Sequence, residues 1–267
     1  MLILRFTTKA FKKFKQTPKL IEVDKSEKDF GEWYVNTADS FNRGNLFMTV
    51  MHADSLYTML IPIEKNMNPS NFVHTIFGNL MLRMLRIEIP QENTERIVKL
   101  YGDQAAFSKT TSKKLLGNLN NILQDIEAIV EYCDDVKKKS YLDMARLECR
   151  VNAAPRTLNG KYVWPLERFY SCIRKFCPEL PHRMTLPLYH YRNSDLLTKI
   201  FKDRVPEILF IKIEGSASGA EVLFNQQEVQ LMLKVIDDSE SIFSDTYGKL
   251  YSDLKRMLSF NLKKFGD

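Results

Sequence analysis

Aromatic and β-branched segments crowd residues 1–63 of this chain, and apolar residues at helical spacing take over from Pro69. EWYVNT, NLFMTVM and SLYTMLIPI are separated by short polar breaks at Asn42–Asn45 and His52–Asp54, and read as three antiparallel strands joined by tight turns. MLILRF ahead of them reads as a further strand, and TKAFKKF as a short helix capped by Thr8. Beyond Pro69-Ser70, the residues Val73, Ile76, Phe77, Leu80, Met84 and Ile87 recur as one face of a helix. A run of strands followed by a run of helices predicts an α+β fold, a small antiparallel sheet packed with several helices.

The helical pattern continues through Pro90–Tyr101, after which QAAFSKT returns to strand character. From Ser112, Leu115, Leu119, Ile122, Ile126, Ile129 and Cys133 mark a long amphipathic helix, widened by Leu116, Leu123 and Val130. Residues 138–152 form another helix, which Pro155 cannot continue, and Trp164-Pro165 opens a third with Leu166, Phe169, Ile173 and Phe176 on one face. Cys177–Asn193 carries Pro178, Pro181 and Pro187 without a helical period, and suggests a boundary between residues 1–178 and 179–267. In the second part EILFIKIE and AEVLF flank GSASG as a β-hairpin, followed by two helices. Asn225 caps the first of these, with Glu228 placed as in a capping box. The last helix brings Phe243, Tyr247, Leu250, Leu254 and Met257 to heptad spacing beside Tyr251, Leu258 and Phe265. That stripe is wider than a coiled-coil seam, so it should pack on its own chain, with self-association through it as the alternative.

Hydrophobic residues make up 44% and charged residues 27% of the 267, a composition that can bury a core rather than stay disordered. Phe72–Ile87, the most apolar stretch, is interrupted by His74, Asn79, Arg83 and Arg86 and falls short of the ~20 residues of a membrane helix, so no membrane partner is expected. Met1 leads straight into MLILRF, without the h-region of a secretory leader. Four cysteines (Cys133, Cys149, Cys172, Cys177) suit reduced thiols in a cytoplasm. The net charge is +6, and it is concentrated. Residues 137–175 hold ten Lys/Arg against three Asp/Glu, for +7, while the chain before them balances and the chain after them is −1. Charge gathered in this way can steer an anionic partner.

Neither a GxxxxGK[ST] phosphate loop nor a GxGxxG turn occurs, and GSASG has Ala217 where a nucleophile elbow needs serine. No pattern calls for a cofactor. Cys172, Cys177, His182 and His190 are the only clustered ligand types, a weak zinc candidate at C-x4-C-x4-H-x7-H, better read as ordinary thiols and loop histidines. His52 reads as a loop histidine, His74 as a helix-surface one, and Asp134-Asp135 and Asp237-Asp238 as helix-end pairs. The basic window is the stronger lead. Lys139, Asp143, Arg146 and Arg150 fall near one helix face, and Arg156, Lys161, Arg168, Arg174 and Lys175 interleave with Tyr162, Trp164 and Tyr170. Guanidinium groups and aromatic faces can hold phosphates and stack bases, although Trp164 and Phe169 also suit core anchors and the arginines could pair with acids at 22–32.

EWYVNTADSFNRGNLFMTV, SKKLLGNLNNILQDIEAIV, YLDMARLECRVNAAP and YVWPLERF, in this order, resemble a bacterial family defined only as a domain of unknown function. The resemblance covers residues 1–175 and implies a compact α+β domain, with no catalytic residue to carry over; residues 182–267 lie outside it. The expected function is a non-catalytic interaction or regulatory module with a protein partner. A nucleic-acid-binding accessory protein, of mobile-element or defence type, and an enzyme of unknown class are the alternatives.

Overall fold

The computed structural model describes residues 2–15, 18–21, 31–37, 47–63, 67–101, 105–132, 141–191, 195–220 and 222–265, with the side chains at 101, 130–132, 141–143, 146 and 189 outside the description. The fold is α+β, and the chain divides into two compact units, Met1–Glu179 and Leu180–Asp267.

Unit 1 is built on strands β1 (Leu2–Phe6), β2 (Glu32–Thr37), β3 (Phe47–His52), β4 (Thr58–Pro62) and β5 (Ala105–Lys109), in the order β4-β3-β2-β1-β5. The β2–β3–β4 meander is antiparallel, as the segments suggested. β1 pairs parallel with both β2 and β5, which makes the sheet mixed. Helices α1 (Thr8–Phe11), α2 (Pro69–Arg86), α3 (Gln91–Tyr101), α4 (Lys113–Tyr132), α5 (Tyr141–Ala153) and α6 (Pro165–Phe176) cover it. The cap of α1 is Thr7 rather than Thr8: the Ala10 N–H donates to the Thr7 hydroxyl.

Both faces of the sheet are buried, so β1 to β3 are buried at every position instead of alternating. On one face Phe6 meets Phe11, Phe14, Phe72 and Phe107, with centroids 5.5–5.9 Å apart. The same face carries Trp33 and His52 against Phe169 of α6, with Tyr57 stacked on that ring at 4.2 Å. On the other face Tyr34, Met51 and Leu60 pack against Leu119, Ile122 and Ile126 of α4 and Leu147 and Val151 of α5. Between α5 and α6 lies a small hairpin, β6 (Arg156–Leu158) and β7 (Lys161–Val163), in a stretch for which no element was expected.

In unit 2, β8 (Arg183–Met184) pairs antiparallel with β9 (Phe224–Asn225), and helices α7 (Leu196–Phe201), α8 (Glu207–Ala217) and α9 (Gln226–Lys263) supply the core. EILFIKIE is therefore α8 and not a hairpin strand. Its β-branched residues favour a strand locally, but Leu209, Ile213, Ser216 and Ala217 share the buried side of a helix. GSASG ends that helix, with Gly219 at φ 83. The capping box at Asn225 and Glu228 forms as read. Asp237 and Asp238 lie inside α9 rather than at a helix end, whereas Asp134 and Asp135 fall outside the described residues. The proline-rich stretch is packed: Met184, Leu186, Leu188 and Tyr191 belong to the core of unit 2.

Candidate functional site

The parallel strands β1 and β5 end together, and the chain leaves them toward opposite faces of the sheet. After β1 it enters α1, whose Phe11 packs on Phe6 on one face; after β5 it enters α4, whose Leu119 and Ile122 pack on the other. Such a divergence is where open sheets with parallel strands place ligands. Polar groups meet there. The Thr7 hydroxyl donates to Asn36 Oδ1 (2.7 Å), and Asn36 Nδ2 donates to Asn120 Oδ1 of α4 (3.1 Å). Tyr34 Oη lies 3.5 Å from the Thr111 hydroxyl, and Ser112 caps α4 by accepting the Leu115 N–H. Thr49, directly across from Asn36 on the same face, has a buried hydroxyl without a hydrogen-bond partner among the described residues.

The buried charges of unit 1 are spent on the scaffold. Arg5 pairs with Glu32 (2.5 Å) and donates to Ser108, tying β1 to both of its neighbours. Glu148 of α5, fully buried, receives Arg83 of α2 at 2.7 Å on each oxygen and Arg86 at 3.4 Å. Glu148 also accepts the Leu60 N–H of β4, and Asn152 accepts the Thr58 N–H while donating to the Thr58 carbonyl. Two side chains one helical turn apart thus satisfy the open edge of the sheet as a paired strand would.

The side chains of the basic window differ in burial and partners. Lys139 and the Arg146 side chain lie outside the described residues. Arg156 is half-buried and pairs with Asp125 of α4, and Arg168 Nε donates to the Asp54 carbonyl. Arg174 and Trp164 are half-buried, while Arg150, Lys161, Arg168 and Lys175 are exposed. Trp164, at the cap position of α6, is not in the buried core; Phe169 and Trp33 are. Of the three aromatic residues interleaved with the window, Tyr162 is the one that is exposed, Tyr170 being buried and Trp164 half-buried. Tyr162 stands 84% exposed on β7, with Lys161 exposed beside it. The turn of this hairpin is Asn159-Gly160, at φ 54 and 76, the type I′ signature that the sequence carried in plain view. Leu158 anchors the hairpin in the core, and Lys114 of α4 donates to Asn159 Oδ1 (2.9 Å), which holds the turn against the first turn of that helix. A ring held away from the core can stack on a planar group, and the adjacent ammonium can meet an anion.

Cys172 and Cys177 are buried in unit 1, and burial pushes the Cys172 thiol up to about 11, away from the thiolate a metal needs. His182 and His190 belong to unit 2, with His182 against Phe265 at 5.2 Å. Among the described residues no three His, Cys, Asp or Glu side chains gather as a metal site would require. His52 is a buried strand residue rather than a loop one, and its Nδ1 lies 2.8 Å from the Ser55 hydroxyl. The Tyr57 N–H donates to that hydroxyl, so the pair shapes the β3–β4 turn. His74 lies exposed on α2, as read.

Among the described residues, no helix is long and apolar enough to cross a membrane. No curated protein and no solved structure matches the chain. A family model described as a domain of unknown function (DUF6933) matches residues 3–168, which takes in the sheet from Ile3 onward, the β6–β7 hairpin and the start of α6. The chain belongs to the DUF6933 family.

Proposed function

We propose that the protein is a non-catalytic interaction module of the cytoplasm, and that the β6–β7 hairpin is its contact point on unit 1. The exposure of Tyr162 carries this reading. The side chain is large and amphipathic, stands 84% open to solvent, and is presented by a hairpin anchored at Leu158 and Asn159. Aromatic residues so presented are enriched among the few that dominate binding energy at interfaces. The buried ionisable groups support the same reading, because Arg5, Glu32, Arg83 and Glu148 are engaged in holding helices and strands together.

A nucleic-acid-binding role is the second reading, favoured by Lys161 beside Tyr162 and by exposed Lys113 and Lys114 in the helical turn that holds the hairpin. An aromatic ring among ammonium groups suits a single strand, with stacking for bases and charge for phosphates.

Affinity purification of the full chain from its native cells, as wild type and as Tyr162→Ala, tests both readings when protein and nucleic acid are measured together. A protein partner held by the wild type and lost by Tyr162→Ala is the expected result. An identical set of partners on both would end the assignment to the hairpin. Fluorescence anisotropy with a labelled single-stranded oligonucleotide separates the second reading, because affinity must then fall steeply with salt. No binding at low salt removes it.

A further inference from the structure

α9 runs from Gln226 to Lys263, 38 residues that would reach about 57 Å as a straight helix. It is not straight. Gly248 sits at φ 43, ψ −112, the one residue inside it with non-helical dihedrals. Beyond this residue the chain turns back along its own first half. Tyr251 Oη donates to the Ile236 carbonyl, and Lys255 Nζ pairs with Asp237 at 3.0 Å and Glu240 at 2.7 Å. Phe265 reaches back to Asn225, Gln226 and Gln227, with which it lines a cleft of about 290 Å³. The returning arm is part of the core: Tyr251, Leu254 and Leu258 are buried with Met232, Val235 and Ile236.

Antiparallel helix pairs ordinarily turn through a loop of about 2–5 residues. Here one glycine does it, in a conformation that side-chain-bearing residues rarely adopt. Nothing lies within 4 Å of where a Cβ on residue 248 would stand, so neighbouring atoms do not oppose a side chain there; the backbone conformation does. The helical φ/ψ that any other residue prefers would straighten α9 and carry Tyr251, Leu254 and Leu258 out of their own core. An identical core exists in only one place, a second copy of this chain.

We infer that Gly248 is a hinge and that the arm of residues 249–265 exchanges between two copies of this chain. The exchanged arm makes the same contacts it makes in the closed form, including Lys255 to Asp237 and Glu240, so the hinge residue alone sets the balance. This is independent of the contact proposed on the β6–β7 hairpin.

Two variants of the full chain move the balance in opposite directions. Gly248→Ala disfavours the turn and is expected to sediment at twice the 31.2 kDa chain mass, with helix content unchanged. A short Gly/Ser loop inserted after Gly248 relaxes the turn and is expected to hold the chain as a monomer. Both variants keep the same surface, so association through exposed Ile208, Ile242 or Phe260 would appear in both. The same oligomeric state for the two variants overturns the proposal. If Gly248→Ala is recovered only as aggregate, the wild type and the loop variant are refolded from denaturant at high concentration. A dimer fraction at least tenfold higher for the wild type upholds the hinge, and any smaller difference overturns it.

Discussion

Glu148 Oε2 accepts the backbone N–H of Leu60 at 3.0 Å, so a carboxylate on α5 occupies a hydrogen-bond position on the open edge of the sheet. The charge is answered by Arg83, itself buried, and by Arg86. Removing the carboxylate leaves a buried guanidinium and a buried amide without this partner. Glu148→Ala should therefore lower unfolding stability by about 3–5 kcal/mol, and Glu148→Gln, which keeps an acceptor for Leu60, by less. Denaturant titration of both variants checks the order; equal losses would show that the acceptor kept by glutamine contributes nothing and that the lost charge accounts for the whole effect.

Tyr162 and Gly160 should separate contact from scaffold. Tyr162→Ala removes a ring that the protein does not pack, so stability is expected to stay within about 0.5 kcal/mol of wild type. Gly160 holds φ 76 in the turn, and Gly160→Ala should cost about 1–2 kcal/mol. Thermal melts of the two variants provide the comparison.

Burial holds the Cys172 thiol neutral up to about 11, whereas an unfolded thiol ionises near ~8.5. The folded state therefore binds more protons between these values, and stability must fall as pH rises through that window, by about 3 kcal/mol. Cys172→Ala should flatten the decline. Urea titrations at intervals from neutral to alkaline pH test this, and an unaltered slope in the variant would count against it.

Asp195 titrates below the usual carboxylate range because Lys199 and the Tyr247 hydroxyl both hydrogen-bond its charged form. The stabilisation is present above the ordinary aspartate value and is lost as pH falls through the depressed one. Tyr247→Phe removes one donor, so the Asp195 carboxyl should titrate at higher pH in the variant, as followed by NMR. Coincident curves would mean that the hydroxyl does not hold the charge.

The two compact units suggest that Met1–Glu179 folds alone. Limited proteolysis of the full chain is expected first at Pro178–Pro181, where the chain is exposed apart from Leu180, and not across 183–191, where it enters a core. A soluble fragment of residues 1–179 with a cooperative melt is the expected outcome. Cleavage first inside α4 or α6 would place the division elsewhere.

The elements legible in the sequence were those whose physics is local. The β2–β4 segments carry their strand character in aromatic and branched residues. α4 shows its buried stripe at Leu119, Ile122 and Ile126, and the Asn225–Glu228 box is complete within four residues. The Asn159-Gly160 turn is equally local, its two positive-φ residues adjacent in the chain. What only the tertiary structure decided lies between residues far apart in the chain. The parallel pairing of β1 with β2 and β5 depends on crossovers whose register no local pattern encodes. Arg83 and Glu148, 65 residues apart, meet because α2 and α5 converge at the edge of the sheet. EILFIKIE is a helix because Leu209 and Ile213 find a core on one side, and burial outweighs β-propensity. Gly248 looks like any glycine in a helical pattern until Tyr251 and Leu254 have somewhere to return to. Propensity acts within a few residues of the chain, whereas burial and charge pairing act wherever the fold brings groups together.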